Sequence, residues 1–258
     1  MDSSCATGSV FPKSFEDPVK RRRLQYGWVR GPGLQGEDDA TLGSTGLSLK
    51  SNHQSLLREV TYDPRLGLLN FFPIEELALL RGKRLATILP GTRVPAGGVL
   101  PLGGPDTHGG AANQSEIRVS FAVPRSAVTL GVRVMCGSDG AGFDLSIDFV
   151  PPAAPGAQSW AVQAGGQTLP LLATDEAIEL ALFVDHTVVE AFFMRGRLAM
   201  TSHFPQGLLQ PGNNSQQSVE IFATGGPGAR VLNASMWAVS DIWDPATHGR
   251  PHQKPGAS

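Results

Sequence analysis

The 258-residue chain is 41% apolar and 17% charged with a formal net charge of −2. This supplies a core and excludes both a disordered polyelectrolyte and a protein built to neutralise nucleic-acid phosphates. Gly 31 and Pro 20 make close to a fifth of the chain, short of low complexity and suited to many short strands joined by turns. The length allows one large or two modest domains, and no apolar run is long enough to span a bilayer.

Met1 to Val10 is polar and lacks the apolar region of a signal peptide. The basic run Lys20-Arg21-Arg22-Arg23 lies between Asp17-Pro18 and the apolar stretch from Leu24, so it reads as a solvated turn opening a strand rather than a nuclear-import signal. Leu24 to Val29, Arg58 to Tyr62 and Leu68 to Phe72 are strand candidates, and Gly31 to Gly46 is a Gly- and acid-rich loop. Pro73 to Gly82 predicts a short helix. Pro73 suits its first position, Glu75 and Glu76 the positive end of its dipole, and Gly82 its left-handed C-terminus. Ile74, Leu77, Ala78 and Leu80 would form its packed face.

Strands dominate from there. Ile117 to Val123, Val128 to Met135, Phe143 to Phe149 and Ile178 to Val184 alternate apolar and polar residues, as half-buried antiparallel strands do. Val188 to Met194, Leu198 to His203, Val219 to Ala223 and Val231 to Trp243 extend the set, and Pro151 to Gly156 reads as a loop. Many alternating strands with turn-rich spacers predict an all-β fold with a two-sheet β-sandwich over about residues 83–245. A domain of ~150 residues buries roughly 70% of its unfolded surface and can stand alone. The strands before it leave open edges and need neighbours.

Of the six histidines (53, 108, 186, 203, 248 and 252), none lies in an HExxH pattern, and no serine lies in a GxSxG elbow. His248 and His252 fall in a polar tail, 246–258, expected to be frayed. Cys5 and Cys136 show no metal spacing; they pair, or Cys136 stays free and buried in an apolar strand. Asn113, Asn213 and Asn233 each begin an Asn-x-Ser sequon, which tilts an otherwise unknown localisation slightly toward a secretory or vacuolar history. Asp185 and Glu190, five residues apart, invite reading as a glycosidase acid/base pair. An unbroken strand would put them on opposite faces, and a turn at Asp185-His186-Thr187 with structural carboxylates is the preferred reading.

At this cluster the chain resembles a known family. Leu182 to Pro205 (LFVDHTVVEAFFMRGRLAMTSHFP) is similar to a signature in the C-terminal β-sandwich of glycoside hydrolase family 32, the invertase, levanase and fructanase group. Phe11 to Val29 (FPKSFEDPVKRRRLQYGWV) resembles that family's last propeller blade. Gln54 to Leu80 resembles the passage leading out of it, and Gly110 to Val123 the opening of the sandwich.

The resemblance implies a five-bladed β-propeller followed by a β-sandwich. Residues 1–72 would be a propeller remnant, 73–82 a connecting helix and 83–245 the sandwich. It implies a retaining β-fructofuranosidase acting on sucrose or fructans, with no cofactor or metal. The family's nucleophile Asp sits in a WMNDPNG-like motif, its acid/base Glu in an EC motif, and a stabilising Asp in RDP; none of the three occurs here. The expectation is therefore a C-terminal fragment with no catalytic residue of its own, its catalytic blades upstream of Met1. Lys13 and Ser14 match a segment near the family's substrate funnel and are the candidate rim residues. The alternatives are a non-catalytic carbohydrate-binding β-sandwich or a purely structural one that mediates oligomer contacts.

Overall fold

A computed structural model describes residues 9–29, 41–42, 47–48, 53–102, 111–136, 142–150, 161–204, 208 and 218–240. Cys5, His108, Asn213, the loop 151–156, the tail 246–258 and most of the stretch 31–46 lie outside these residues.

The first sheet contains β1 (Ser9–Asp17), β2 (Arg22–Val29), β5 (His53–Gln54), β6 (Arg58–Asp63) and β7 (Leu68–Pro73). Between β2 and β5, β3 (Thr41–Leu42) and β4 (Leu47–Ser48) pair only with each other. The order β1-β2-β6-β7 is an antiparallel meander, the arrangement of one propeller blade, with β5 paired to β2. The basic run forms its first corner as expected. Asp17 Oδ1 accepts from the backbone N–H groups of Val19 and Lys20 at 3.1 and 3.3 Å, and Arg21 takes the left-handed conformation.

The predicted helix is a shorter and different element, a six-residue 3-10 turn over Glu75–Leu80 with no buried residue. Pro73 ends β7, and Arg81 and Gly82 open the next strand instead of closing a helix. The physical reason lies in partners outside the segment. Glu75 and Glu76 are drawn sideways to Lys20 Nζ (2.5 and 2.8 Å), and Glu76 also to Arg22. Leu79 meanwhile stays 70% exposed.

The rest of the described chain is a β-sandwich. Its strands are β8 (Arg81–Ile88), β9 (Arg93–Val94), β10 (Gly98–Pro101), β11 (Gln114–Ala122), β12 (Val128–Cys136), β13 (Phe143–Val150) and β14 (Ala161–Ala164). They continue with β15 (Gln167–Thr168), β16 (Ala177–Asp185), β17 (Val188–Phe193), β18 (Leu198–His203), β19 (Ser218–Thr224) and β20 (Ala229–Val239). One sheet has the order β18-β17-β16-β11-β20-β8, with β9 joined to β20. The other runs β10-β19-β12-β13-β14-β15.

The alternating residues fill the space between them. Ile117, Val119 and Phe121 of β11 meet Leu130, Val132 and Val134 of β12, Leu145, Ile147 and Phe149 of β13, and Ile178, Leu180 and Leu182 of β16 in one core. Each such side chain contributes about 1.5–3 kcal/mol on burial. Strands β16 and β17 depart from simple alternation: Ala181, Phe183 and Phe192, on the face turned away from this core, are buried as well. Something must cover that face, and it is the first sheet. Among the described residues no helix is long and apolar enough to cross a membrane.

Candidate functional site

Strand register arranges the outer face of the seven-stranded sheet in rows. Thr201, Glu190, Phe183, Glu116 and Trp237 stand side by side across β18, β17, β16, β11 and β20. The next row is Ala199, Phe192, Ala181, Arg118 and Ser235, and beyond it come Glu179, Ser120 and Asn233. Phe71 of β7 packs with Ala181, Phe183, Phe192 and Ala199 in a second apolar cluster, which Leu56, Val60, Phe72 and Leu77 border. The Phe72 and Phe183 rings both meet Phe192 edge to face.

Glu190 is the polar centre of this junction. It is 5% exposed, and its Oε1 accepts from the Leu56 N–H at 2.6 Å while its Oε2 accepts from Arg58 Nη2 at 2.6 Å. Thr201 Oγ1 receives a second bond from Arg58 Nη2 at 2.8 Å, and the Arg58 guanidinium lies 5.1 Å from the Phe192 ring centre. A carboxylate so engaged is a docking ligand for the blade, held by charge-assisted bonds. Asp185 ends β16 with its side chain exposed, beside the two-residue corner His186-Thr187 that leads to Val188. The chain does turn at His186-Thr187, as expected; Glu190 is taken up by the contacts above, whereas Asp185 stays exposed.

Glu116 forms a second anchor. Its 1% exposed side chain accepts two bonds from Arg81 (2.6 and 2.7 Å) and one from Arg118 (2.6 Å). Burial pushes its pKa up, but the Arg81 hydrogen bonds and the charge of Arg118 outweigh that and hold it below the ordinary carboxylate value. Arg81 and Arg84 lie over Trp237, 4.6 and 5.3 Å from the ring centre. The turn Met194–Gly196 completes the contact. Gly196 takes φ +84, and a Cβ there would lie 2.2 Å from the Phe71 carbonyl oxygen. Only glycine allows the two backbones to come so close.

Beside the apolar cluster the junction leaves an open cleft of about 420 Å³ lined by Phe72, Arg118, Ser120, Glu179, Arg195 and Asn233. Arg118 lies over the rings of Phe72 and Phe183, and Arg195 bonds Glu179 at 3.1 Å. Lys13 and Ser14 are elsewhere, exposed on β1 at the sheet edge, where Ser14 Oγ accepts from Arg23 Nη2 at 2.7 Å. The structure brings neither of them to this cleft. Among the described residues no three His, Cys, Asp or Glu side chains converge as a metal site. Cys136 is free and buried, and burial pushes its thiol up to about 12.

Arg58 is the site residue that sequence reasoning did not single out. Its signal was indirect: Glu190 lies in the run Val-Val-Glu-Ala-Phe-Phe, and a carboxylate in so apolar a strand calls for a buried cation.

Comparison with known proteins agrees with this architecture. Residues 92–238 match the family described as Glycosyl hydrolases family 32 C terminal. The chain is 26% identical over 259 residues to the beta-fructofuranosidase insoluble isoenzyme 6 of Oryza sativa subsp. japonica, covering 81% of this chain and 41% of the rice protein. It is 34% identical over 111 residues to the beta-fructofuranosidase insoluble isoenzyme CWINV3 of Arabidopsis thaliana, covering 43% of this chain and 16% of that protein. Among solved structures, fructan 1-exohydrolase IIa from Cichorium intybus superposes with a TM-score of 0.74 at 19% identity, covering 93% of this chain and 49% of that one. The chain therefore spans less than half the length of these relatives. With more than half of its residues inside the family match and the blade-plus-sandwich fold in place, the chain belongs to glycoside hydrolase family 32, of which it represents the C-terminal region.

Proposed function

We propose that this polypeptide is the non-catalytic C-terminal portion of a β-fructofuranosidase-type hydrolase that cleaves sucrose or fructans. Its own work is to hold the last propeller blade against a rigid sandwich. The observation that carries this is the engagement of Glu190: the carboxylate that sequence spacing offers as a catalyst is spent on Arg58 and the Leu56 N–H. Retaining hydrolysis needs one carboxylate free to attack and another able to protonate the leaving oxygen, about 5–5.5 Å apart. In this reading both come from propeller blades outside the 258 residues, and the funnel whose rim includes Lys13 and Ser14 forms only when those blades are present.

The test is an assay of fructose release from sucrose, 1-kestose and levan. The purified chain is tried alone and after mixing with a separately expressed segment of the rice relative that lies outside the matched 41%. The expected result is no release by the chain alone and a higher thermal midpoint of the rice segment in the mixture. Fructose release by the chain alone would overturn the proposal.

A further inference from the structure

We propose that Asn233 is an N-glycan acceptor whose first sugars lie in the cleft between β7 and the sandwich sheet. Two observations meet at this residue. The triplet Asn233-Ala234-Ser235 is a sequon, and Asn233 is an exposed member of the cleft wall. A sequon in a strand commonly leaves its Asn pointing wherever the pleat directs it; here the backbone redirects it. The β11–β20 register slips at Ser120/Phe121, so that Phe121 faces Val231 while Ser120 faces Asn233, and Leu232 is the extra residue. Val231, Ala234 and Met236 point into the core, and the bulge resets the phase so that Asn233 faces outward.

Its neighbours in the same row are Ser120 and Glu179, with Arg195 bonded to Glu179 and Phe72 across the cleft. Hydroxyl, carboxylate and guanidinium groups offer a saccharide both acceptors and donors, and the Phe72 ring offers an apolar face. The cleft volume of about 420 Å³ accommodates the sugars nearest the protein without displacing a strand.

The experiment directs the full 258-residue chain into the secretory pathway of insect cells and maps asparagine-to-aspartate conversion in heavy-oxygen water after amidase release of the glycans. Both secreted and retained protein are analysed, so poor export does not obscure the answer. Conversion at Asn233 is expected, abolished in N233Q. Release from the native protein is expected to be at least tenfold slower than after denaturation, because the cleft shields the linkage. An unconverted Asn233 peptide in both pools would overturn the acceptor assignment. Release at equal rates before and after denaturation would overturn the placement in the cleft.

Discussion

Arg58 and Glu190 are 132 positions apart in the chain and meet at 2.6 Å, each side chain less than a tenth exposed, as the one buried ion pair described between blade and sandwich. Removing one partner of such a pair strands the other charge away from water, at a cost of about 3–5 kcal/mol. Glu190→Ala is expected to lower stability by this order, read as a shift in the urea midpoint. Arg58→Met with Glu190→Leu is expected to recover most of the loss, since apolar replacement of both partners is often neutral. A single mutant as stable as the parent would show the pair to be dispensable.

Gly196→Ala tests the close approach of the two units. The new methyl would meet the Phe71 carbonyl at 2.2 Å and force an alanine into φ +84. Strain of this kind costs about 1–3 kcal/mol before the steric clash is counted. The expected outcome is faster proteolysis between β5 and β7 with the sandwich core intact, followed by gel and mass mapping.

Acid should weaken the carboxylate pairs made by Glu76 and Asp63. Arg22 and Lys20 hydrogen bonds hold Glu76 down to about 2 from its ordinary 4.5, and Arg65 holds Asp63 down to about 2 from 3.8. A carboxylate whose folded pKa is depressed contributes stability above its unfolded pKa and loses it as pH falls toward the folded value. The thermal midpoint is therefore expected to be flat from pH 6 to 8 with respect to these groups and to fall between about 4.5 and 2. Glu76→Gln should flatten part of that fall; an unchanged slope would remove Glu76 from the account.

Cys136 should be silent in the native protein. Burial is the main cause of its thiol lying near 12, so almost no thiolate exists at pH 8. Mass-mapped alkylation is expected to leave the Cys136 peptide unlabelled under native conditions and to label it fully in guanidinium. Rapid native labelling would mean that the C-terminal end of β12 opens.

Much of the sandwich was legible because alternation is a local signal. Phe143 to Phe149 reads apolar-polar by turns, and Leu145, Ile147 and Phe149 are indeed buried while Asp144 and Asp148 are exposed. The short strands β9, β10, β14 and β15, of two to four residues each, carry too few positions to show a period and were missed. The segment after Pro73 failed for a different reason. Its charges and glycine satisfy the rules of an isolated helix, yet Lys20 and Arg22, far back in the chain, capture its two glutamates. Arg58 had only the indirect signal of Glu190, because the two lie in different sheets; the candidate rim residues Lys13 and Ser14 were legible only through resemblance.

The second apolar layer on β16 and β17 bears on how this stretch of gene can be cut and rejoined. If the chain is divided between β7 and β8, Phe183 and Phe192 lose their cover, and the liberated sandwich presents an oily patch that favours self-association. A division ahead of β1 leaves that layer sealed. Blade and sandwich thus share one buried layer, and a cut at the more obvious boundary between sheets is the one that opens it.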